Sequence, residues 1–91
     1  GVMSSWTNQA HLVKVKISNL GAQERTVVVT ERVPVSEIEK LRIEVDAGAT
    51  SERQKPDSNG FIRWRLELPA FGRKTIELRY VVRKHGDVVG I

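Results

Sequence analysis

The chain has 91 residues, with 15 Lys and Arg against 11 Asp and Glu for a formal charge of +4, 40% apolar and 29% charged residues, and no cysteine. That length holds one domain, since single cores typically take about 100 to 150 residues, and the composition is globular rather than disordered. Without cysteine there is no disulfide framework, thiolate chemistry or cysteine-based zinc site, and no apolar run approaches the roughly 18 residues of a membrane span.

The opening GVMSSWTNQA has neither the basic start nor the apolar centre of a signal peptide. Gly1 and Val2 ahead of Met3 read as a cloning remnant, residues 1–9 as a flexible or expression-derived segment, and residues 10–91 as a single domain. From His11 to Ser18, Val13, Val15 and Ile17 alternate with Lys14 and Lys16, the period of two of a half-buried strand. Asn19, Leu20 and Gly21 then turn the chain. In ERTVVVTERVPV, Val27, Val29 and Val33 share a phase into which Glu31 also falls; a bulge near Thr30 or an edge position would each resolve the conflict.

Pro34 ends that strand because it has no amide donor for a ladder, and Ser36 to Ile38 hold one helical turn at most. Alternation resumes over Leu41 to Val45 with Leu41, Ile43 and Val45 on one side. DAGATSERQKPDSNG reads as a long loop with room for a short edge strand, closed by the Asn59-Gly60 pair that favours a type I′ hairpin turn. Phe61 to Leu68 forms the next strand, Pro69 to Gly72 a tight connection, and Arg73 to Arg83 the last strand, with Ile76, Leu78, Tyr80 and Val82 inward. No segment keeps a helical period for 10 or more residues. Five strands, plus one or two further candidates, predict an all-β fold: a small antiparallel immunoglobulin-like β-sandwich, with a partly open barrel as the competing architecture.

No catalytic, metal or cofactor signature emerges. The serines lie in turns or at strand ends without a nucleophile elbow, and His11 and His85 lack a local partner of the kind a metal site or catalytic base uses. His11 is expected at a strand end and His85 in a C-terminal loop. DSNG, Asp57 to Gly60, has half the oxygen ligands of a calcium loop but no closing acid, so it reads as a turn. The carboxylate pairs Glu37 with Glu39 and Glu67 with Glu77 read as surface charges. Trp6 suits either a sugar-stacking platform or a cover for the open end of the core.

A basic face is the remaining candidate. Arg63 and Arg65 lie opposite Trp64, and Arg79 and Arg83 point outward from the last strand. If these two strands pair through the Pro69 to Gly72 turn, the four guanidiniums share one surface with Glu67 and Glu77. Trp64 and Tyr80 take the inward phase, so the stacking aromatics of a single-strand nucleic-acid binder are missing from it.

The Asn19 turn after the first strand, the valine strand ending at Val33 and Pro34, the stretch from Gly60 to Trp64, and the tyrosine strand closing near Val89 and Gly90 resemble the C-terminal β domain of bacterial proteins of the mucoidy-inhibitor-A-like family. The likeness runs from about His11 onward, and Pro69 to Gly72, PAFG, stands where that family commonly has a Pro-Gly turn. It implies a domain that follows a different N-terminal β domain and a coiled coil in one polypeptide, without an established activity or a catalytic residue. The expected function is therefore a non-catalytic interaction or assembly module without a cofactor, whose partners are other segments of its own parent chain (N-terminal β domain, coiled coil). The alternative is a polyanion-binding module for acidic polysaccharide or nucleic acid through Arg63, Arg65, Arg79 and Arg83, whose binding would fall steeply with salt.

Overall fold

The computed structural model describes residues 6–86. Strands β1 (Trp6–Ser18), β2 (Arg25–Arg32), β3 (Leu41–Val45), β4 (Phe61–Leu68) and β5 (Arg73–His85) follow in chain order, with two short 3-10 turns, Ala47–Ala49 and Ser51–Arg53, between β3 and β4. They form two antiparallel sheets, one ordered β1-β5-β3 and the other β2-β4. The alternation read from the sequence sets which face each strand buries. Ile62, Trp64, Leu66 and Leu68 of β4 and Ile76 and Leu78 of β5 are buried, while the residues between them face out or are only partly covered.

Val33, Ile62, Trp64, Leu66, Ile76 and Leu78 make one core between the sheets, flanked by Val13, Val15, Ile17, Val29, Ile43, Val45 and Tyr80. Each such aliphatic side chain withdrawn from water contributes about 1.5 to 3 kcal/mol, so this seam supplies the main favourable term for so small a domain. The fold is thus the expected all-β sandwich, with five strands among the described residues where an immunoglobulin constant-type domain has seven.

Several local expectations change. β1 begins at Trp6, and Trp6 to Gln9 pair with His85 to Val82, so residues 6–9 belong to the sheet and not to a flexible leader. β2 pairs with β4 in unbroken register from Arg25 opposite Leu68 to Arg32 opposite Phe61. Glu31 therefore sits in the inward phase without a bulge, half-buried opposite Ile62, which an edge strand tolerates because its margin stays wet. No strand forms in the long loop among the described residues; its two 3-10 turns follow β5 instead.

Asn59 does not adopt the positive φ that a type I′ turn requires of both central residues; only Gly60 does, at φ 85°. Gly60 N–H donates to the Asp57 carbonyl at 3.0 Å and Asp57 N–H to the Phe61 carbonyl at 2.9 Å, the arrangement of a longer hairpin loop with glycine in the left-handed position. A Cβ at Gly60 would run into the Val33 carbonyl oxygen, so the tight approach of this loop to the end of β2 needs glycine twice over. Val89 and Gly90, named in the family likeness, lie outside the described residues.

Candidate functional site

The basic surface anticipated from the sequence is not assembled. β4 pairs with β2 and β5 with β1 and β3, so the Pro69 to Gly72 turn crosses between the sheets instead of closing a hairpin ladder. Both strands turn their apolar residues to the shared core, which places Arg63 and Arg65 on the outside of one sheet and Arg79 and Arg83 on the outside of the other. Glu67 and Glu77 part in the same way. The local pairings confirm the separation: Arg63 meets Asp57 at 3.5 Å, whereas Arg83 meets Glu44 at 3.2 Å and Glu77 meets Lys14 at 3.9 Å.

The other singled-out residues fall into packing roles. Trp6, on the outer face of β1, has the guanidinium of Arg42 4.8 Å and that of Arg83 5.8 Å from its ring centre, with His85 edge-on at 5.3 Å. His85 is the last residue of β5, not part of a loop, and His11 lies within β1, stacked on Tyr80 at 4.9 Å. Asp57 accepts from the amides of Asn59 at 2.9 Å and Phe61 at 3.0 Å. The Phe61 amide is the main reason its carboxyl is held below the usual value of 3.8; desolvation opposes this, while the Asn59 amide and Arg63 reinforce it. The DSNG segment is accordingly a turn whose carboxylate is used by its own backbone. Among the described residues no three His, Cys, Asp or Glu gather as a metal site, and no helix is long and apolar enough to cross a membrane.

One concavity stands out, and the sequence reading passed over it. A groove of about 530 Å³ runs between the segment Val33–Glu39, the consecutive β3 residues Leu41 to Glu44, and the loop Pro56–Ser58 with Gly60. β3 is the outer strand of its sheet, paired on one side only, and neighbouring β3 residues point to opposite faces. A cavity touching all four of them therefore borders the strand's open edge. Pro34 breaks the ladder after Val33. Ser36 then folds the chain back: its hydroxyl accepts from the Ile38 amide at 3.2 Å and donates to the Ile38 carbonyl at 3.0 Å.

The result is an apolar wall on which Val35 remains 50% and Ile38 54% exposed, beside the half-buried Leu41 and Ile43. Glu37, Glu39, Glu44 and Asp57 rim the groove with Arg42; Glu44 and Asp57 are paired with Arg83 and Arg63, so Glu37 and Glu39, on the segment beside Val35 and Ile38, are the acids this wall offers a partner. The sequence signal was present in Val35 and Ile38, two large apolar residues in a segment with no strand period.

The model of a domain-of-unknown-function family, DUF4139, matches residues 1–84. The chain belongs to that family. No curated protein and no solved structure matches the chain. The DUF4139 match takes in every strand named above except the last residue of β5, and with them both walls of the groove.

Proposed function

We propose that this DUF4139 domain is a non-catalytic interaction module that receives an extended, basic and apolar segment by strand addition along β3. The observation that carries this reading is the unpaired β3 edge opening into a groove with exposed Val35 and Ile38 flanked by Glu37 and Glu39. An added strand would satisfy the edge's free amides and carbonyls, place alternate side chains against Val35 and Ile38, and set its cations against Glu37 and Glu39. β1 is the other edge of the same sheet, and it carries Lys14 and Lys16 in its outward phase, charges that discourage pairing.

The partner we propose is another part of the parent polypeptide. The likeness to the mucoidy-inhibitor-A-like family supports this, because there such a domain follows an N-terminal β domain and a coiled coil. The polyanion reading loses its main support with the separation of Arg63 and Arg65 from Arg79 and Arg83.

Hydrogen exchange of residues 33–45, compared between the isolated domain and the intact parent chain, tests the proposal. At least tenfold slower exchange in the parent is expected, reversed by Val35→Asp with Ile38→Asp, two exposed positions, with an unchanged melting curve of the isolated variant domain as the control for folding. Equal exchange in the two contexts, or protection untouched by the double substitution, would sink it.

A further inference from the structure

The end of the sandwich remote from the groove carries a second, unrelated surface. Two turns meet there, Asn19 to Glu24 and Pro69 to Gly72, and they are tied together. Asn19 N–H donates to the Gly72 carbonyl at 2.8 Å, Phe71 N–H to the Gly21 carbonyl at 3.1 Å, and the Asn19 side-chain amide to the Pro69 carbonyl at 3.0 Å. On this cross-braced tip Leu20 is 86% and Phe71 67% exposed. Phe71 sits at φ 55°, a left-handed backbone that a bulky side chain seldom adopts, so the turn holds an aromatic ring outward at a cost in local strain.

Around these two residues stand Lys16, Arg25, Arg73 and Lys74, all exposed and none in an ion pair among the described residues; Glu24 and Glu67 are the acids beside them, so the cations are in excess. Register places Arg73 opposite Ser18 and Lys74 opposite Ile17 on the β1-β5 ladder, and Arg25 opposite Leu68 on the other, so the cations flank the tip from both sheets.

We infer that this tip seats the domain on an anionic lipid surface, with Leu20 and Phe71 entering the interfacial layer and the four cations resting on the headgroups. Two exposed apolar side chains on two turns fall well short of the roughly 1,000 Å² a stable protein interface needs. A bilayer asks for less: a few inserted apolar groups, with each cation near the anionic surface raising binding roughly fivefold. The cross-braced turns keep the ordering cost of insertion small, because the wedge is already held in place.

Cosedimentation of the domain with phosphatidylglycerol and phosphatidylcholine vesicles, at low and near-physiological salt, tests this. Binding to phosphatidylglycerol vesicles that weakens with salt, and none to phosphatidylcholine, is expected. Leu20→Ser with Phe71→Asn should lower binding at least tenfold while the melting curve holds, since asparagine accepts the left-handed backbone better than phenylalanine. Arg73→Gln with Lys74→Gln should lower it roughly 25-fold, about fivefold for each cation removed. Undiminished binding by the Leu20 and Phe71 variant would overturn the wedge. No binding of the parent sequence to phosphatidylglycerol would overturn the lipid surface altogether, assigning the tip to a protein with an acidic socket. Neither result bears on the β3 groove, whose test uses different residues and no lipid.

Discussion

The indole Nε1 of Trp64 donates to the Ser51 carbonyl at 2.8 Å, so the most deeply buried side chain of the core also fastens the loop that lies along β5. Trp64 belongs to the two-stranded sheet, whereas Ser51 attaches to the three-stranded one: its hydroxyl accepts from the Glu77 amide at 2.8 Å. One residue earlier, the Thr50 hydroxyl accepts from the Arg79 amide at 3.2 Å. The two sheets are therefore closed along this side by hydrogen bonds as well as by apolar contact.

Trp64→Phe keeps an aromatic ring but removes the donor and part of the volume. It should cost about 2 kcal/mol in urea denaturation, from lost packing plus an unmet carbonyl. Its signature is faster amide exchange at Glu77 and Arg79 relative to β2, because the loop is released before the core. Uniform acceleration across the domain would show that the indole bond does not hold the loop.

Ser51→Ala isolates the other half of the same clasp. β3 pairs with β5 only from Tyr80 onward, so the Glu77 and Arg79 amides depend on side-chain hydroxyls rather than on a neighbouring strand. The loss should be about 1 kcal/mol, and with Thr50→Val it should approach twice that. The double variant should also associate at high concentration, since it bares a length of strand edge. Light scattering and amide exchange check the two effects separately.

Asn19 pins the turns at the end of the sandwich where β5 begins. Its side-chain amide donates to the carbonyls of Gln23 at 2.7 Å and Pro69 at 3.0 Å, with Leu68 at 3.3 Å, and its Oδ1 accepts from the Gly21 amide at 3.0 Å. Asn19→Ala should destabilise by about 2 kcal/mol, because it strands buried carbonyls and removes the acceptor for Gly21. Asn19→Asp should be worse at neutral pH, placing a carboxylate against carbonyl oxygens. Equal stability of the two variants would show that the donors of Asn19 do not carry its role.

The strands, their buried faces and the Asn19 turn were legible because alternation and turn chemistry are local. Val13, Val15 and Ile17, or Ile62, Trp64 and Leu66, declare their inward face without reference to a partner. Which strand neighbours which is not local. Pro69 to Gly72 has the length of a hairpin connection, yet β4 and β5 bury their apolar faces against each other and so occupy opposite layers. That one choice dispersed the four arginines. The place of β3 at the end of the β1-β5-β3 order is equally non-local, and the groove edge it makes is announced by no residue of β3 by itself. The tie between Trp64 and Ser51 was hidden for a similar reason: DAGATSERQKPDSNG looks like a loop from its composition, and only the open margin of β5 gives its hydroxyls something to bind.

Asp57 supplies the pH dependence. The Phe61 amide, aided by the Asn59 amide and Arg63, lowers its carboxyl below 3.8, against the smaller effect of desolvation. A depressed folded value means that the ionised form favours the folded state, so the contribution is present above pH 3.8 and is lost as pH falls through the folded value. Asp57→Asn keeps an acceptor for the Asn59 and Phe61 amides but cannot ionise. The parent sequence should be the more stable of the two at neutral pH. The gap should close on acidification below 3.8 and stay constant between pH 5 and 7, where Asp57 is ionised throughout. Parallel acid limbs for the two proteins in urea titrations would show that the Asp57 charge is not coupled to folding. The same titration followed by the Phe61 amide resonance reads the carboxyl directly, because that N–H bonds to Asp57 Oδ1 and shifts as the charge is lost.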